Sequence, residues 1–130
     1  MKISLIIPIY NESSTIDAML EQLDALPGDW EILFADGGSS DDTLEKIGSR
    51  YPVLHCPKGR ANQMNFAADR ATSDVLWFVH CDSRIPRDAH SQIAAAMEAG
   101  EKWGLLPIVL CHIFGNSLMK RRNGSRSWIR

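Results

Sequence analysis

The sequence predicts an α/β fold, a mostly parallel open sheet with helices on both faces. Three observations predict it. Short apolar runs alternate with longer amphipathic ones in the order β-α-β-α-β-α-β-α-(β). The apolar runs, such as SLII and VLWFV, are continuous rather than alternating, as expected of strands covered on both faces. The chain has 130 residues, 45% hydrophobic and 23% charged, which suits one domain able to bury a core without disulfides.

The elements follow in order. Lys2–Ile7 is an apolar run closed by Pro8 and reads as a buried strand. Ser13–Leu26 carries Ile16, Met19, Leu20, Leu23 and Leu26 at helical spacing, with Asn11, Ser13 or Ser14 as cap and Pro27-Gly28 as stop. Trp30–Ala35 is a second strand. Asp36-Gly37-Gly38-Ser39-Ser40 turns the chain, and Asp41 and Asp42 start a helix to about Arg50, where they favour its macrodipole. Pro52–Cys56 is a short third strand. Gly59–Thr72 is a helix with Ala61, Met64, Ala68 and Ala71 inward. Asp74–Val79 is a fourth strand, and Arg87–Ala99 a helix closed by Gly100. Trp103–Leu110 reads as a fifth strand that Pro107 confines to an edge or a bulge. From Asn116 onward no period is sustained, and the end reads as irregular.

Charge divides the chain. Residues 1–101 hold all 16 acids and 8 bases, a net of −8, whereas residues 102–130 hold 6 bases and no acid. The sequence therefore predicts an α/β domain over 1–101 and a basic segment over 102–130. The overall net charge of −2 argues against a dedicated nucleic-acid binder. The basic residues Lys120, Arg121, Arg122, Arg126 and Arg130 suit either solvent or the periphery of an anionic membrane. Three cysteines without a C-x-x-C pair point to reduced thiols in a cytoplasmic protein. The N-terminus lacks a signal-peptide cleavage pattern, and no apolar run approaches the roughly 20 residues of a membrane span.

In open α/β sheets ligands sit at the carboxyl ends of the strands. Three polar clusters fall there: Pro8-Ile9-Tyr10-Asn11-Glu12, Asp36 to Asp42, and His80-Cys81-Asp82-Ser83. Right-handed crossovers turn all three to the same side, so they can line one cleft. Asp36 can accept from a base or a ribose hydroxyl while Gly37 and Gly38 let the backbone approach, or it can belong to an ordinary Asp-Gly turn. Asp82 can hold Mg2+ or Mn2+ against a diphosphate, or cap a turn before Pro86. His80 can be a second metal ligand or a satisfied structural histidine. Arg60, at a helix start after Gly59, suits phosphate or plain solvent. Tyr10 can stack on a base or pack at the sheet edge. G-x-G-x-x-G, G-x-x-x-x-G-K-[ST] and G-x-S-x-G are all absent.

SLIIPIYNE, EILFADGGSSDDT and GRANQMNFAADRATSDVLWFVHCDSRIP, taken together, resemble family 2 glycosyltransferases of the GT-A fold. The subgroup resembled carries G-R-A-x-Q-M-N and L-H-A-D-[ST] segments. The resemblance covers about residues 2–100 and implies the Rossmann-like nucleotide-binding half of that fold, whereas residues 102–130 read as atypical for the family. It further implies a nucleoside diphosphate sugar donor, a divalent cation and transfer to an acceptor the sequence does not specify. It places Pro8, Tyr10 and Glu12 around the nucleoside, Asp36 and Gly37 against the base, and Arg60 near the base or phosphates. It puts His80-Cys81-Asp82 at the family's D-x-D position, with His80 in place of the first Asp and Asp82 as carboxylate ligand. Nothing after Glu101 is acidic, so no catalytic base is assigned. The expectation is a truncated member, or a half completed by a partner chain. An exposed sheet edge would then also suit a homodimer. Two other readings stay open: a nucleotide-sugar-binding half-domain without turnover, and an unrelated doubly wound domain whose motifs are ordinary turns.

Overall fold

Six strands form one sheet in the order β3-β2-β1-β4-β6-β5. The structure is a computed structural model describing residues 1–98, 108–113 and 116–121. Its elements are β1 (Ile3–Ile9), α1 (Ile16–Asp24), β2 (Trp30–Asp36), α2 (Thr43–Ile47), β3 (Val53–His55), α3 (Arg60–Arg70), β4 (Val75–Phe78), α4 (Ala89–Glu98), β5 (Ile108–Ile113) and β6 (Asn116–Arg121). The first four strands are parallel. β6 runs antiparallel to β4, and β5 antiparallel to β6. The predicted mostly parallel α/β sheet is therefore present, with an antiparallel hairpin at one side.

The central strand β1 runs through Pro8, two residues past its expected end. A proline there costs no ladder bond. Ile3 N–H donates to Asp29 O and Gly37 N–H to Ile9 O, so the odd residues of β1 serve β2. Even residues serve β4, but β4 leaves the ladder after Val79 N–H donates to Ile6 O. Pro8 thus lacks a donor only where no acceptor strand remains.

Side-chain alternation sorts the core into two layers. Ile3, Leu5, Ile7 and Ile9 face Ile16, Met19, Leu20 and Leu23 of α1, Ile47 of α2, and Ala89, Ile93 and Met97 of α4. Trp77 lies fully buried in this layer, 5.9 Å from Trp30 in a stacked pair. Ile6, Ala35, Leu76 and Phe78 face Met64, Ala67 and Ala68 of α3 on the other side.

Three expectations are corrected. The stripe of α3 is rotated: Ala61 is exposed and Ala71 half-buried, whereas Gln63 and Ala67 are buried. Gln63 is drawn inward by carbonyls at the strand ends, described below. The helix after β1 starts at Ile16, and its N-cap Thr15 makes no side-chain cap bond. Asn11 and Ser13 bond the neighbouring loop instead, with Asn11 Oδ1 accepting Ser40 N–H at 2.7 Å. Residues 116–121 are not irregular but form β6, inserted beside β4, and the fifth strand starts at Ile108, after Pro107. Gly100 and residues 103–107 of the expected strand lie outside the described residues, as do Arg122, Arg126 and Arg130. Among the described residues no helix is long and apolar enough to cross a membrane.

At the amino ends of the strands, Glu31 ties β1 to the segment before β4. It accepts Ser4 Oγ at 2.7 Å, and Thr72 N–H and Thr72 Oγ1 at 2.8 Å each. Burial opposes its charge, but the Thr72 and Ser4 hydrogen bonds outweigh that and hold its carboxyl below the usual range. A depressed carboxyl contributes stability that is complete above its unfolded value and is lost as pH falls through the folded one. We expect acid unfolding below about pH 4.5 to be shallower in Glu31→Gln than in the wild type. Denaturant midpoints measured from pH 6 to pH 3 check this, and parallel curves would contradict it.

Candidate nucleotide site

The loops after β1 and β2 are stitched together before any ligand is considered. Asn11 adopts φ 52°, a left-handed conformation that asparagine tolerates. Its N–H donates to Ser39 Oγ at 2.9 Å, and its Oδ1 also accepts Asp41 N–H at 3.3 Å. Glu12 N–H donates to Thr43 Oγ1 at 2.9 Å. Asp41 accepts from the Thr43 hydroxyl and N–H and from Ser13 N–H, and the Thr43 hydroxyl foremost holds its carboxyl below the usual range.

Asp36 ends β2 and is 1% exposed. Its carboxylate accepts Gly38 N–H at 3.0 Å, Ser39 N–H at 3.1 Å and Ser39 Oγ at 2.6 Å. Both oxygens are thus engaged by the turn that Asp36 itself begins, and His55 Nδ1 stands 3.9 Å away. Gly37 sits directly against Gln63: a Cβ there would lie 2.8 Å from Gln63 Oε1.

Pro8, Ile9, Tyr10, Glu12, Arg60, Gln63 and His80 line one shallow cavity of about 180 Å3 at the carboxyl ends of the strands. Five of the residues singled out from sequence, Pro8, Tyr10, Glu12, Arg60 and His80, therefore meet. The Tyr10 ring is partly exposed and carries the Lys58 ammonium 4.1 Å from its centroid. Arg60 Nη2 lies 2.6 Å from His80 Nε2. A guanidinium only donates, so Nε2 accepts and the ring keeps its proton on Nδ1.

Asp82 is exposed and lines a second, larger cavity of about 500 Å3 with Ser14, Thr15 and Gln22 of the α1 side. Glu12 links the two cavities. It lines the first, and its Oε2 accepts the hydroxyl of Thr15, which lines the second, at 3.0 Å. The buried Cys81 lines the second cavity beside Asp82. Burial first, then the Glu12 and Asp82 carboxylates, push its thiol up to about 11 against a hydrogen bond with Thr15. At neutral pH it stays a thiol rather than a thiolate nucleophile. The carboxylate that shares surroundings with Asp82 is thus Glu12, while Asp36 works beneath the surface.

Besides Gln63, sequence reasoning missed two residues that shape this site. Gln22 Nε2 donates to Ser83 O at 3.0 Å and its Oε1 accepts Ile85 N–H at 2.7 Å, pinning the Asp82 loop to α1. Asn116 Oδ1, from the first residue of β6, accepts His80 N–H at 3.2 Å and Ser83 Oγ at 3.3 Å. Gln22 lies off the apolar stripe of its helix. Asn116 stood at the start of a segment without period, so neither gave a signal.

No group of three or more His, Cys, Asp or Glu side chains converges among the described residues. Asp82 offers a free-standing carboxylate, whereas Nε2 of His80 faces Arg60. These residues fit a hard cation held by one carboxylate together with substrate oxygens and water, not an all-protein cage.

A family model described as glycosyl transferase family 2 matches residues 4–129. The chain belongs to this family. It is 31% identical to the dolichol-phosphate mannosyltransferase of Pyrococcus furiosus over 77% of this chain and 31% of that protein. It is 44% identical to the undecaprenyl-phosphate 4-deoxy-4-formamido-L-arabinose transferase of Klebsiella pneumoniae over 76% of this chain and 34% of that protein. The structure of S. aureus TarS 1-349 in complex with UDP-GlcNAc aligns with a TM-score of 0.65 at 25% identity, covering 78% of this chain and 32% of that one. The chain spans about a third of the length of these relatives. The resemblance to family 2 glycosyltransferases is thereby borne out, and the family match runs on into the basic segment.

Proposed function

We propose that this glycosyltransferase domain binds a nucleoside diphosphate sugar across the carboxyl ends of β1, β2 and β4 and works in sugar transfer to an acceptor hydroxyl or phosphate. The observation that carries this reading is the convergence of Tyr10, Glu12, Arg60 and His80 on one cavity beside the Asp82 loop. Nucleotide-sugar binding by a solved relative supports it.

The residues divide the work by their chemistry. Tyr10 presents a ring face to a nucleobase, and Pro8 and Gly37 bring backbone close to it. Asp36 holds the loop that frames the base. Arg60 turns from His80 to donate to the diphosphate, whose charge outcompetes a neutral imidazole acceptor. A bound Mg2+ or Mn2+ supplies neutralisation of the leaving diphosphate, and Asp82 is the residue that would hold it, with His80 beside it. As an acceptor oxygen forms its bond to the anomeric carbon, the bond from that carbon to the diphosphate oxygen breaks, and the proton of a hydroxyl acceptor passes to water or to the departing diphosphate. Arg60 then stabilises the charge that develops on the departing group.

The acceptor chemistry draws on the relatives. Two act, by name, on polyprenyl phosphates. The basic residues around 120–130 would suit work at an anionic membrane surface from the cytoplasmic side.

The test is calorimetric titration of the purified chain with uridine and guanosine diphosphates, with and without Mn2+. One of them is expected to bind at micromolar to millimolar Kd and more tightly with metal. Absence of binding to either would end this reading. Binding without transfer from a panel of nucleotide sugars would identify a donor-binding half-domain instead.

A further inference from the structure

Gln63 joins the ends of β1 and β2 to the N-terminus of α3. It is 5% exposed in the first turn of α3. Its Nε2 donates to Ile9 O at 2.9 Å and to Ala35 O at 2.8 Å, the carbonyls next to the exits of β1 and β2. Its Oε1 accepts Gly59 N–H at 3.3 Å, at the N-cap of α3. Both amide hydrogens and the amide oxygen are therefore used, a pattern that only a primary amide can supply at this length. The amide also packs on Gly37 closely enough to exclude a Cβ, at 2.8 Å from Oε1 and 2.9 Å from Cδ. Arg60 lies one turn before Gln63 on the same helix, and both line the cavity.

We infer that Gln63 is a positioning residue that fixes Arg60 at one reach from the ends of β1 and β2, so that nucleoside diphosphate affinity depends on it. The inference rests on the nucleotide-site reading and adds a residue to it. A buried amide bridging two strand exits costs its desolvation unless every bond is made, and all are made only when α3 stands at this height above the sheet. The helix cannot slide without breaking them. Arg60 is thereby held at a fixed reach from the strand ends where the base and the diphosphate would lie.

The test compares Gln63→Glu and Gln63→Met with the wild type. A glutamate can still accept from Gly59 N–H but cannot donate to Ile9 O or Ala35 O, and its charge faces both carbonyls. A methionine fills the space and makes none of the bonds. Titration with uridine or guanosine diphosphate and Mn2+, at a temperature where each variant is fully folded by circular dichroism, should give about tenfold weaker binding for each. In an Arg60→Ala background the further loss should shrink to about twofold or less, because the helix no longer carries the group it positions. If Gln63→Glu fails to fold, Gln63→Met carries the comparison. Should both fail, Gln63→Leu, which also makes none of the bonds, takes their place with the same expectation. Lowered melting temperatures with unchanged nucleotide Kd would overturn the inference and leave the nucleotide site standing. A loss equal in both backgrounds would also overturn it. A wild type that binds neither nucleotide would remove the parent reading and this one with it.

Discussion

Asp36→Ala is expected to destabilise the chain by about 2–3 kcal/mol, the worth of hydrogen bonds to a buried charged acceptor. It should weaken nucleoside diphosphate binding at the same time. The carboxylate is buried and takes two backbone N–H groups and one hydroxyl of residues 38 and 39. Removing it strands those donors in a turn whose Gly38 already adopts φ 99°. The turn is not isolated. Ser39 Oγ also accepts Asn11 N–H, and Asn11 in turn accepts from Ser40 and Asp41, so the loop after β1 loses its clasp when the loop after β2 loosens. Urea unfolding gives the first effect, and titration well below the melting temperature gives the second. Unchanged stability would contradict the structural role of the carboxylate. Unchanged binding would separate the turn from the site.

Asp82→Asn is expected to do the opposite. The side chain is exposed, so stability should move by no more than about 0.5 kcal/mol. Nucleotide binding without metal should be nearly unaffected. The gain on adding Mn2+, however, should fall by roughly tenfold or more, since a cation neutralising a diphosphate is worth several kcal/mol and Asp82 is its proposed carboxylate ligand. The Gln22 and Asn116 bonds that hold the 80–83 loop are untouched by this change. A loss of metal dependence can therefore be assigned to the carboxylate rather than to a displaced loop. A variant that keeps the full Mn2+ gain would remove Asp82 from the metal role.

The parallel part of the fold was legible because buried strands leave an unmistakable composition: VLWF and ISLII can only be covered on both faces. The hairpin was not. β6 reads NSLMKR, with Asn116, Leu118 and Met119 buried, and its place beside β4 depends on long-range pairing that no local period encodes. The candidate site shows the same division. Tyr10 and His80 were visible as chemistry at strand ends and Arg60 as chemistry at a helix start, and the topology brought them together. Gln63 was hidden because a polar residue on a helix reads as solvent-facing, until the carbonyls that bury it are placed by tertiary structure. The role of Asp36 was half legible. Its turn is local and could be read, but the engagement of both oxygens needed the Ser39 hydroxyl to fold back onto it.

The central claim is that the carboxyl ends of β1, β2 and β4 hold a base and its diphosphate between Tyr10 and Asp82. A crystal structure of the chain soaked with uridine or guanosine diphosphate and Mn2+ tests it most directly. The nucleobase is expected beside Tyr10, the Arg60 guanidinium turned from His80 onto the diphosphate, and the cation on Asp82. A nucleotide bound elsewhere, or a diphosphate out of reach of both Arg60 and Asp82, would contradict it.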